Sequence, residues 1–466
     1  MAKILRKNLT SFLRTRGAVR SRELCAQFGV KQQTMSGALI AASREILKIG
    51  GGSRTRYALR REIGTLGNSW PIFRVDSAGM LSDFGRLHAI FGENSSAEFA
   101  FVPAAGIPHE TFAALVGEEF ADGIFPDLPW FLADHRPRGF LGREIAAKLA
   151  RERTDFPENV GLWPAETILR YWLEFGGDIA GALIVGETAR ERFLSGTDAG
   201  AEPLAEDARA EAFPRLCERA LAGTLPFSSA AGEQPKFVAA VRGGNGEIRQ
   251  VLVKFSGDIS AAAGRRTADL LIAEKTASDL LGAAGFRVPR TEILFAGGRC
   301  FLESARIDRC GARGRIFTVS LEAIDAAFLG ENGANPWPEA VARGAEFGLF
   351  SESDAAKVRE LYEFGRAIGN TDMHFGNLSF ELAAGTENSA AGTPAFRLAP
   401  VYDMLPAAYA PQSDLTSLRR DAVGGFPADA LSRERATEFW KTLSADARVS
   451  GDFRAVAARN FEKFSA

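Results

Sequence analysis

Apolar residues at Ile4, Leu5, Leu9, Phe12 and Leu13 recur at helical spacing and predict an amphipathic helix that stops at Arg16-Gly17. Ser21 then caps a second predicted helix, SRELCAQFGV, with Leu24, Cys25 and Phe28 on one face. Gly29 supplies a turn, and KQQTMSGALIAAS reads as a third helix whose first turn is polar. Beyond it the period changes to two. Leu47-Lys48-Ile49 and Tyr57-Ala58-Leu59 flank a glycine-rich stretch holding Arg54 and Arg56, which predicts a hairpin with a basic tip. Two helices about a glycine turn, followed by such a hairpin, form the pattern of a winged helix-turn-helix. On that reading Gln32, Gln33, Thr34 and Ser36 reach base edges of double-stranded DNA, and Arg54 and Arg56 meet phosphate or the minor groove.

Charge sharpens this picture. Residues 1–61 hold fourteen Lys and Arg against Glu23 and Glu45, a net +12, so a total of -2 leaves -14 for the other 405 residues. A basic unit on an acidic body points to a polyanion partner for that unit alone. The 466 residues suit two or three domains, and 46% hydrophobic with 24% charged residues excludes a disordered or fibrous chain. The longest apolar run, Ile179–Val185, is too short to span a bilayer, and no apolar stretch follows the basic start as in a signal peptide. Cys25, Cys217, Cys300 and Cys310 show no CxxC spacing, which excludes a zinc ribbon or a disulfide framework. A cytoplasmic protein is expected, with nucleoid association through the basic unit.

Residues 63–205 mix short strands and helices without a motif of obvious chemistry. Prolines mark DGIFPDLPWFLADHRPRGFLGRE as loop-rich before a helix over 142–151, and His88, His109 and His135 read as structural or solvated. Residues 195–210, small and acidic, read as an exposed connection.

Four later features occur in a meaningful order. SSAAGEQPKF is a small-residue loop whose backbone N–H groups approach phosphate closely, with Lys236 adding charge before the strand FVAAVR. No GxxxxGK[ST] occurs, which argues against a P-loop nucleotide hydrolase. VLVKFS puts Lys254 near the end of an apolar strand, where a buried ammonium needs an anion. Glu274 in the helical LLIAEKTASDLLGAAG is its expected partner. The pair resembles the strand lysine and helix glutamate of protein kinases. GNTDMHFGN holds Asp372 and Asn377 at the spacing of the kinase catalytic loop, with His374 between them and Asn370 bracing. LAPVYDMLP places Asp403 just beyond a strand, where a second Mg2+ ligand belongs, and a hairpin of Leu378–Leu382 with Phe396–Leu398 returns it beside Asn377.

These residues resemble the HipA family of toxin serine/threonine kinases over about residues 65–440, most specifically in SSAAGEQPK, VKFS, ESARIDR, GNTDMHFGN and LAPVYDMLP. The winged-helix front end is similar to the YjjJ-like subgroup. The resemblance implies an α+β chain: a winged helix-turn-helix (1–62), an N-terminal subdomain (63–205), a nucleotide-binding lobe (206–308) and a mostly helical C-terminal lobe (309–466). It implies Asp372 as catalytic base, Asn377 and Asp403 as Mg2+ ligands, and Lys254 on the phosphates of ATP. Ala231, Gly232, Glu233, Gln234, Pro235 and Lys236 become the phosphate loop, and Ala305, Arg306 and Ile307 the adenine hinge. His374 and Tyr402 line the nucleotide, and Ser229 is the autophosphorylated serine. Two departures stand out: Ala305 replaces a hinge glutamate, and Gly376 replaces a lysine before the loop asparagine. Partners implied are a protein substrate such as a translation factor or aminoacyl-tRNA synthetase, an antitoxin, and a second copy, since winged helices commonly read two-fold sites. Two other functions fit the residues: a transcription regulator whose body senses nucleotide, and a small-molecule phosphotransferase.

Overall fold

The computed structural model describes residues 2–117, 119–120, 122–153, 155–196, 202–223, 232–331, 333–383, 395–411, 419–421 and 429–465. First come α1 (Ala2–Arg16), β1 (Val19–Arg20), α2 (Ser21–Phe28), α3 (Gln32–Ala41), β2 (Ile46–Ile49) and β3 (Arg56–Leu59). The strands form one antiparallel sheet in the order β1-β3-β2, with Leu47 opposite Ala58. Gly29 ends α2 at φ 60, a left-handed conformation that glycine adopts without a Cβ penalty, and its N–H reaches the Cys25 carbonyl. Ser21 lies inside α2 and does not cap it. Its hydroxyl accepts from the Gln32 side chain at 2.8 Å, bracing α2 against α3.

Strand alternation splits the burial of β2 between two cores. Ile46 joins Leu9, Leu13, Leu24, Met35 and Leu39 under the helices. Leu47 and Ile49 turn to the opposite face with Ala58 and pack on Ile90 and Ala100 of the next unit. Backbone bonds extend this seam: Arg61 N–H to the Ala89 carbonyl (2.9 Å) and Asn94 N–H to the Thr15 carbonyl (2.8 Å). Gly17, at φ 73, fits there because a Cβ would stand 2.9 Å from the Glu93 nitrogen. The N-terminal unit is docked onto the body.

The body begins with β4 (Ser69–Val75), β5 (Leu81–Phe91), β6 (Ala97–Pro103), α4 (His109–Val116), β7 (Ile124–Phe125), α5 (Gly139–Glu152), α6 (Ala165–Phe175), β8 (Leu183–Val185) and α7 (Glu187–Ser195). Its sheet runs β7-β6-β5-β4-β8, and α6 buries Ile168, Leu169, Tyr171 and Trp172.

A second five-stranded sheet, β12-β13-β11-β10-β9, follows from β9 (Leu204–Ala205), β10 (Lys236–Arg242), β11 (Ile248–Phe255), β12 (Thr291–Ala296) and β13 (Arg299–Ala305). Helix α8 (Arg209–Leu221) packs Phe213 against Phe237, Phe255 and Phe301, and α9 (Ala262–Ala283) joins β11 to β12. The expected exposed connection over 195–210 ends earlier than its composition suggests. β9 pairs in parallel with β10, and Arg209 is buried on Glu292 (2.8 Å) and Glu303 (2.7 Å). Within the stretch, Glu206 pairs with the buried Arg249 at 3.1 Å and so serves as a counter-charge.

A short hairpin, β14 (Arg309–Cys310) and β15 (Gly314–Arg315), leads to β16 (Thr318–Ser320) and α10 (Leu321–Ile324). Then come α11 (Trp337–Glu346), α12 (Glu352–Ile368), β17 (Ser379–Leu382), β18 (Phe396–Leu398), α13 (Ala430–Ala445) and α14 (Gly451–Ser465). A small antiparallel sheet, β16-β17-β18, interrupts this largely helical part. The chain is mixed α+β. Among the described residues no helix is long and apolar enough to cross a membrane.

Candidate active site

β11 carries Lys254 into the junction between the second sheet and the C-terminal helices, where it is 4% exposed. A buried ammonium must be paired. Glu274, on the helix that follows, lies 2.6 and 2.8 Å from Nζ, and Asp403 closes the other side. Burial pulls the Lys254 pKa down, but Asp403 and Glu274 outweigh burial and the net shift is upward. Burial pushes the Glu274 carboxyl up to about 7 in spite of Lys254. It pushes Asp403 up too, but Lys254 and Lys236 overcome it and hold that carboxyl below its ordinary range. Asp403 is therefore the more firmly ionised carboxylate of the two.

Lys236 stands opposite Lys254 in the β10–β11 register. It is 2% exposed, and burial lowers its pKa to about 8. Its Nζ runs against Gly232, whose missing side chain makes the approach possible at φ 104. The Gly232 carbonyl accepts the Phe140 N–H at 2.9 Å, and Glu233 pairs with Arg143, so α5 holds this end of the loop. Gln234 is half-buried, and the Pro235 carbonyl accepts from Phe255 N–H at 3.3 Å. Ala231 and Ser229 lie outside the described residues.

The β17–β18 hairpin forms as the sequence suggests, with Phe380 opposite Leu398, and returns the chain beside the 370–377 loop. Asn370 ties the two segments together. Its Oδ1 accepts the Asp372 N–H (3.0 Å), and its Nδ2 donates to the Asp403 carbonyl (3.4 Å). Asp403 sits at φ 54, a left-handed backbone that a non-glycine residue holds only where its surroundings fix it. Asn377 Nδ2 donates to the Asp372 carbonyl (2.7 Å), while the Asp372 carboxylate projects outward with 64% of its side chain exposed. His374 Nδ1 accepts the Gly376 N–H (3.0 Å) and shapes the loop from within. Tyr402 shares a 2.7 Å hydrogen bond with Ser379 Oγ and donates to the Gly376 carbonyl (3.1 Å); burial raises its phenol pKa. The Asn377 Oδ1 and the Asp403 carboxylate are hard oxygen donors of the kind Mg2+ takes.

At the strand end, the Ala305 and Arg306 N–H groups bond the Arg290 and Gln250 carbonyls (both 2.9 Å). The Arg306 guanidinium is buried between Asp178 and Asp308 at 2.8 to 3.0 Å. Ile307 follows directly after Ala305 and Arg306 in the chain.

The N-terminal residues are placed unevenly. Gln33, Thr34 and Ser36 are exposed on α3, and Arg54 is exposed in the turn Gly52–Arg54. Gln32 is also exposed but is engaged with Ser21 and Cys25. Arg56 is not at the tip: it lies in β3, donates to the Ala18 carbonyl (3.2 Å) and pairs with Asp122 of the body.

A further charged group lies close to the 370–377 loop, with Glu322 on its border. Arg138 donates to Asp134 (2.6 Å) and Glu322 (2.8 Å), and Asp134 accepts from the Ser320 backbone (2.6 Å) and hydroxyl (2.8 Å). Asp134 and Arg138, four residues apart among prolines, carry no local signal that they meet Ser320 and Glu322, 186 and 184 residues later.

Comparison with known proteins places this chain among the HipA-like proteins. The family described as YjjJ-like toxin, middle domain, matches residues 66–194, and that described as HipA-like C-terminal domain matches 228–462. Toxin YjjJ of Escherichia coli (strain K12) is 34% identical over 450 residues, covering 95% of this chain and 94% of that protein. The chain belongs to the HipA-like toxins, in their YjjJ-like branch. Two solved structures show a looser likeness. A chain of the Shewanella oneidensis MR-1 HipA, HipB and operator DNA complex matches at TM-score 0.46 and 13% identity, covering 85% of this chain and 96% of that one. The Helicobacter pylori proinflammatory kinase CtkA matches at TM-score 0.31 and 11% identity, covering 50% and 88%.

Proposed function

We propose that this protein is an ATP- and Mg2+-dependent serine/threonine protein kinase of toxin–antitoxin type with a fused winged-helix DNA reader. The observation that carries the reading is the convergence of Lys254, Glu274, Asp403, Asn370, Asp372 and Asn377 on one cleft, from elements as much as 149 residues apart. Lys236 and Lys254 hold nucleotide phosphates, and the Ile307 N–H meets the adenine edge. The target hydroxyl gives its proton to Asp372 as its oxygen bonds to the γ-phosphorus. The bond from phosphorus to the bridging oxygen breaks, and ADP leaves with that electron pair. Asn377 and Asp403 would hold Mg2+, which when bound neutralises charge on the β- and γ-phosphate oxygens. Asn370 keeps the base and the metal ligand in register.

Ser229 is the proposed site of autophosphorylation. Phosphate there adds about -1.5 to -2 charge where nucleotide phosphates sit, and repulsion lowers ATP affinity. The element order of residues 1–61, their +12 charge and the exposed Gln33, Thr34, Ser36 and Arg54 support DNA binding. An antitoxin, a protein substrate and a second copy are the partners this reading implies.

Incubation with γ-labelled ATP and Mg2+, followed by phosphosite mapping on the chain and on a cell lysate, tests it. Label on Ser229 and on serine or threonine of other proteins is expected. Absence of label from all protein would contradict the reading. A second reading, a regulator that senses nucleotide, draws on the buried seam between the N-terminal sheet and the body, which suits transmission between them.

A further inference from the structure

Between Asp372 and Asn377 the chain offers Met373, His374, Phe375 and Gly376, with no lysine or arginine. Transfer of a phosphoryl group spreads negative charge over its oxygens, and a cation fixed close by stabilises it. Lys236 and Lys254 lie behind the cleft, buried in the sheet. A third cation comes from the body unit.

Arg138 stands where the two loops of the cleft meet. Its neighbours Gly139 and Phe140 press on the phosphate loop: Phe140 N–H bonds the Gly232 carbonyl, and a Cβ on Gly139 would collide with that same carbonyl. Its side chain reaches the other way, to Glu322 and Asp134. Glu322 in turn borders the catalytic loop, since a Cβ on Gly376 would stand 3.2 Å from its Oε2. Leu321 N–H bonds the Leu378 carbonyl at 2.7 Å, which fixes that helix to the residue after Asn377. The two partners differ in how firmly they are held. Asp134 is anchored by Ser320, whereas the Glu322 side chain is 53% exposed and Arg138 itself 35%. An exposed carboxylate is a partner that a phosphate can replace.

We propose that Arg138 clamps the γ-phosphoryl group of bound ATP, exchanging Glu322 for phosphate oxygens while Asp134 keeps its guanidinium in place. The proposal rests on the kinase reading and adds a residue to it. Arg138 makes and breaks no covalent bond; it donates N–H groups to the oxygens of the group in transit.

Full-length protein is titrated with ADP and with the non-hydrolysable β,γ-imido analogue of ATP, each with Mg2+. Arg138→Ala should weaken the triphosphate about ten- to a hundredfold, the range of a lost charge-assisted bond, and leave ADP within about twofold. Glu322→Gln should tighten the triphosphate and leave ADP unchanged, because it releases Arg138. Arg138→Lys keeps the charge but not the fork, and its loss should fall between wild type and Arg138→Ala. If Arg138→Ala does not fold, Arg138→Lys and Glu322→Gln decide the question through the same ratio of the two affinities. Equal weakening of both nucleotides, or no change in the ratio, overturns the Arg138 clamp and leaves the kinase reading standing. Wild-type protein that binds neither nucleotide overturns both.

Discussion

Lys236 and Lys254 face each other across the β10–β11 ladder, so two buried ammonium groups share one side of the cleft. Side chains opposite one another in an antiparallel pair lie on the same face, and like charges there repel. Lys254 is compensated closely by Glu274 and Asp403. For Lys236 burial wins, and its pKa falls to about 8. Two lysines therefore stand side by side on one face of the sheet, one of them held near its titration point at about 8.

This gives a pH dependence with two opposite signs. If phosphate binds charged Lys236 as proposed, ATP affinity should fall as pH rises above about 8, by up to about tenfold per unit. Stability should move the other way. Between about 8 and the ordinary lysine value of 10.5, the unfolded chain holds a proton that the folded chain has lost, so this group favours folding more as pH rises. Lys236→Met should remove both trends. ATP titrations and urea midpoints from pH 7 to about 9.5 measure them together.

Glu274→Ala should be costly in both stability and binding. It leaves Lys254 buried with Asp403 alone, and breaking a buried pair typically costs about 3–5 kcal/mol. Glu274→Gln keeps the volume and should cost less, while still weakening nucleotide binding. Denaturant unfolding separates the two variants.

Much of this was legible because it is local. A period of 3.6 marks α1 to α3, a period of 2 marks the β2–β3 and β17–β18 hairpins, and the spacing from Asp372 to Asn377 lies within one loop. Lys254 and Glu274 were legible through a physical requirement, since a lysine ending an apolar strand needs an anion. Arg138 was not, because its meaning depends on a contact with Glu322 across 184 residues. Nor was the second buried face of β2 and β3: alternation shows that a strand has two faces but not what covers the other one. The same missing contact misplaced Arg56, which pairs with Asp122 in place of solvent.

The buried seam changes what to expect of DNA binding. Residues 1–62 in isolation would expose Leu47, Ile49 and Ala58, so the intact protein is the proper subject. Arg54→Ala should reduce the slope of log affinity against log salt by about 1. Arg56→Ala should leave it unchanged, because Asp122 already holds that charge. Asp122→Ala should release Arg56 and steepen the slope. Duplex binding across a salt series checks all three.

Acid should loosen the same seam through His88. Its Nδ1 lies 2.6 Å from Arg60 Nη1 and accepts from it. Burial, then Arg60 and Arg86, lower the His88 pKa to about 3. From pH 6.5 down to about 3 the unfolded chain binds a proton that the folded chain refuses, so stability falls on acidification. His135, lowered to about 4, acts with the same sign. His88→Gln should flatten part of the decline in melting temperature between pH 7 and about 4.5.

In the proposed phosphoryl transfer from ATP, Asp372 accepts the hydroxyl proton. Its exposed position on a loop means that replacement leaves the core intact. Single-turnover transfer of label from γ-labelled ATP·Mg2+ to protein, for wild type and Asp372→Asn at matched nucleotide saturation, tests this most directly. Wild type should transfer label, and the variant should lose about 10²–10⁴ in rate, the range of a positioned general base, with nucleotide affinity retained. Transfer by Asp372→Asn at the wild-type rate, or none by nucleotide-saturated wild type to any protein, would contradict it.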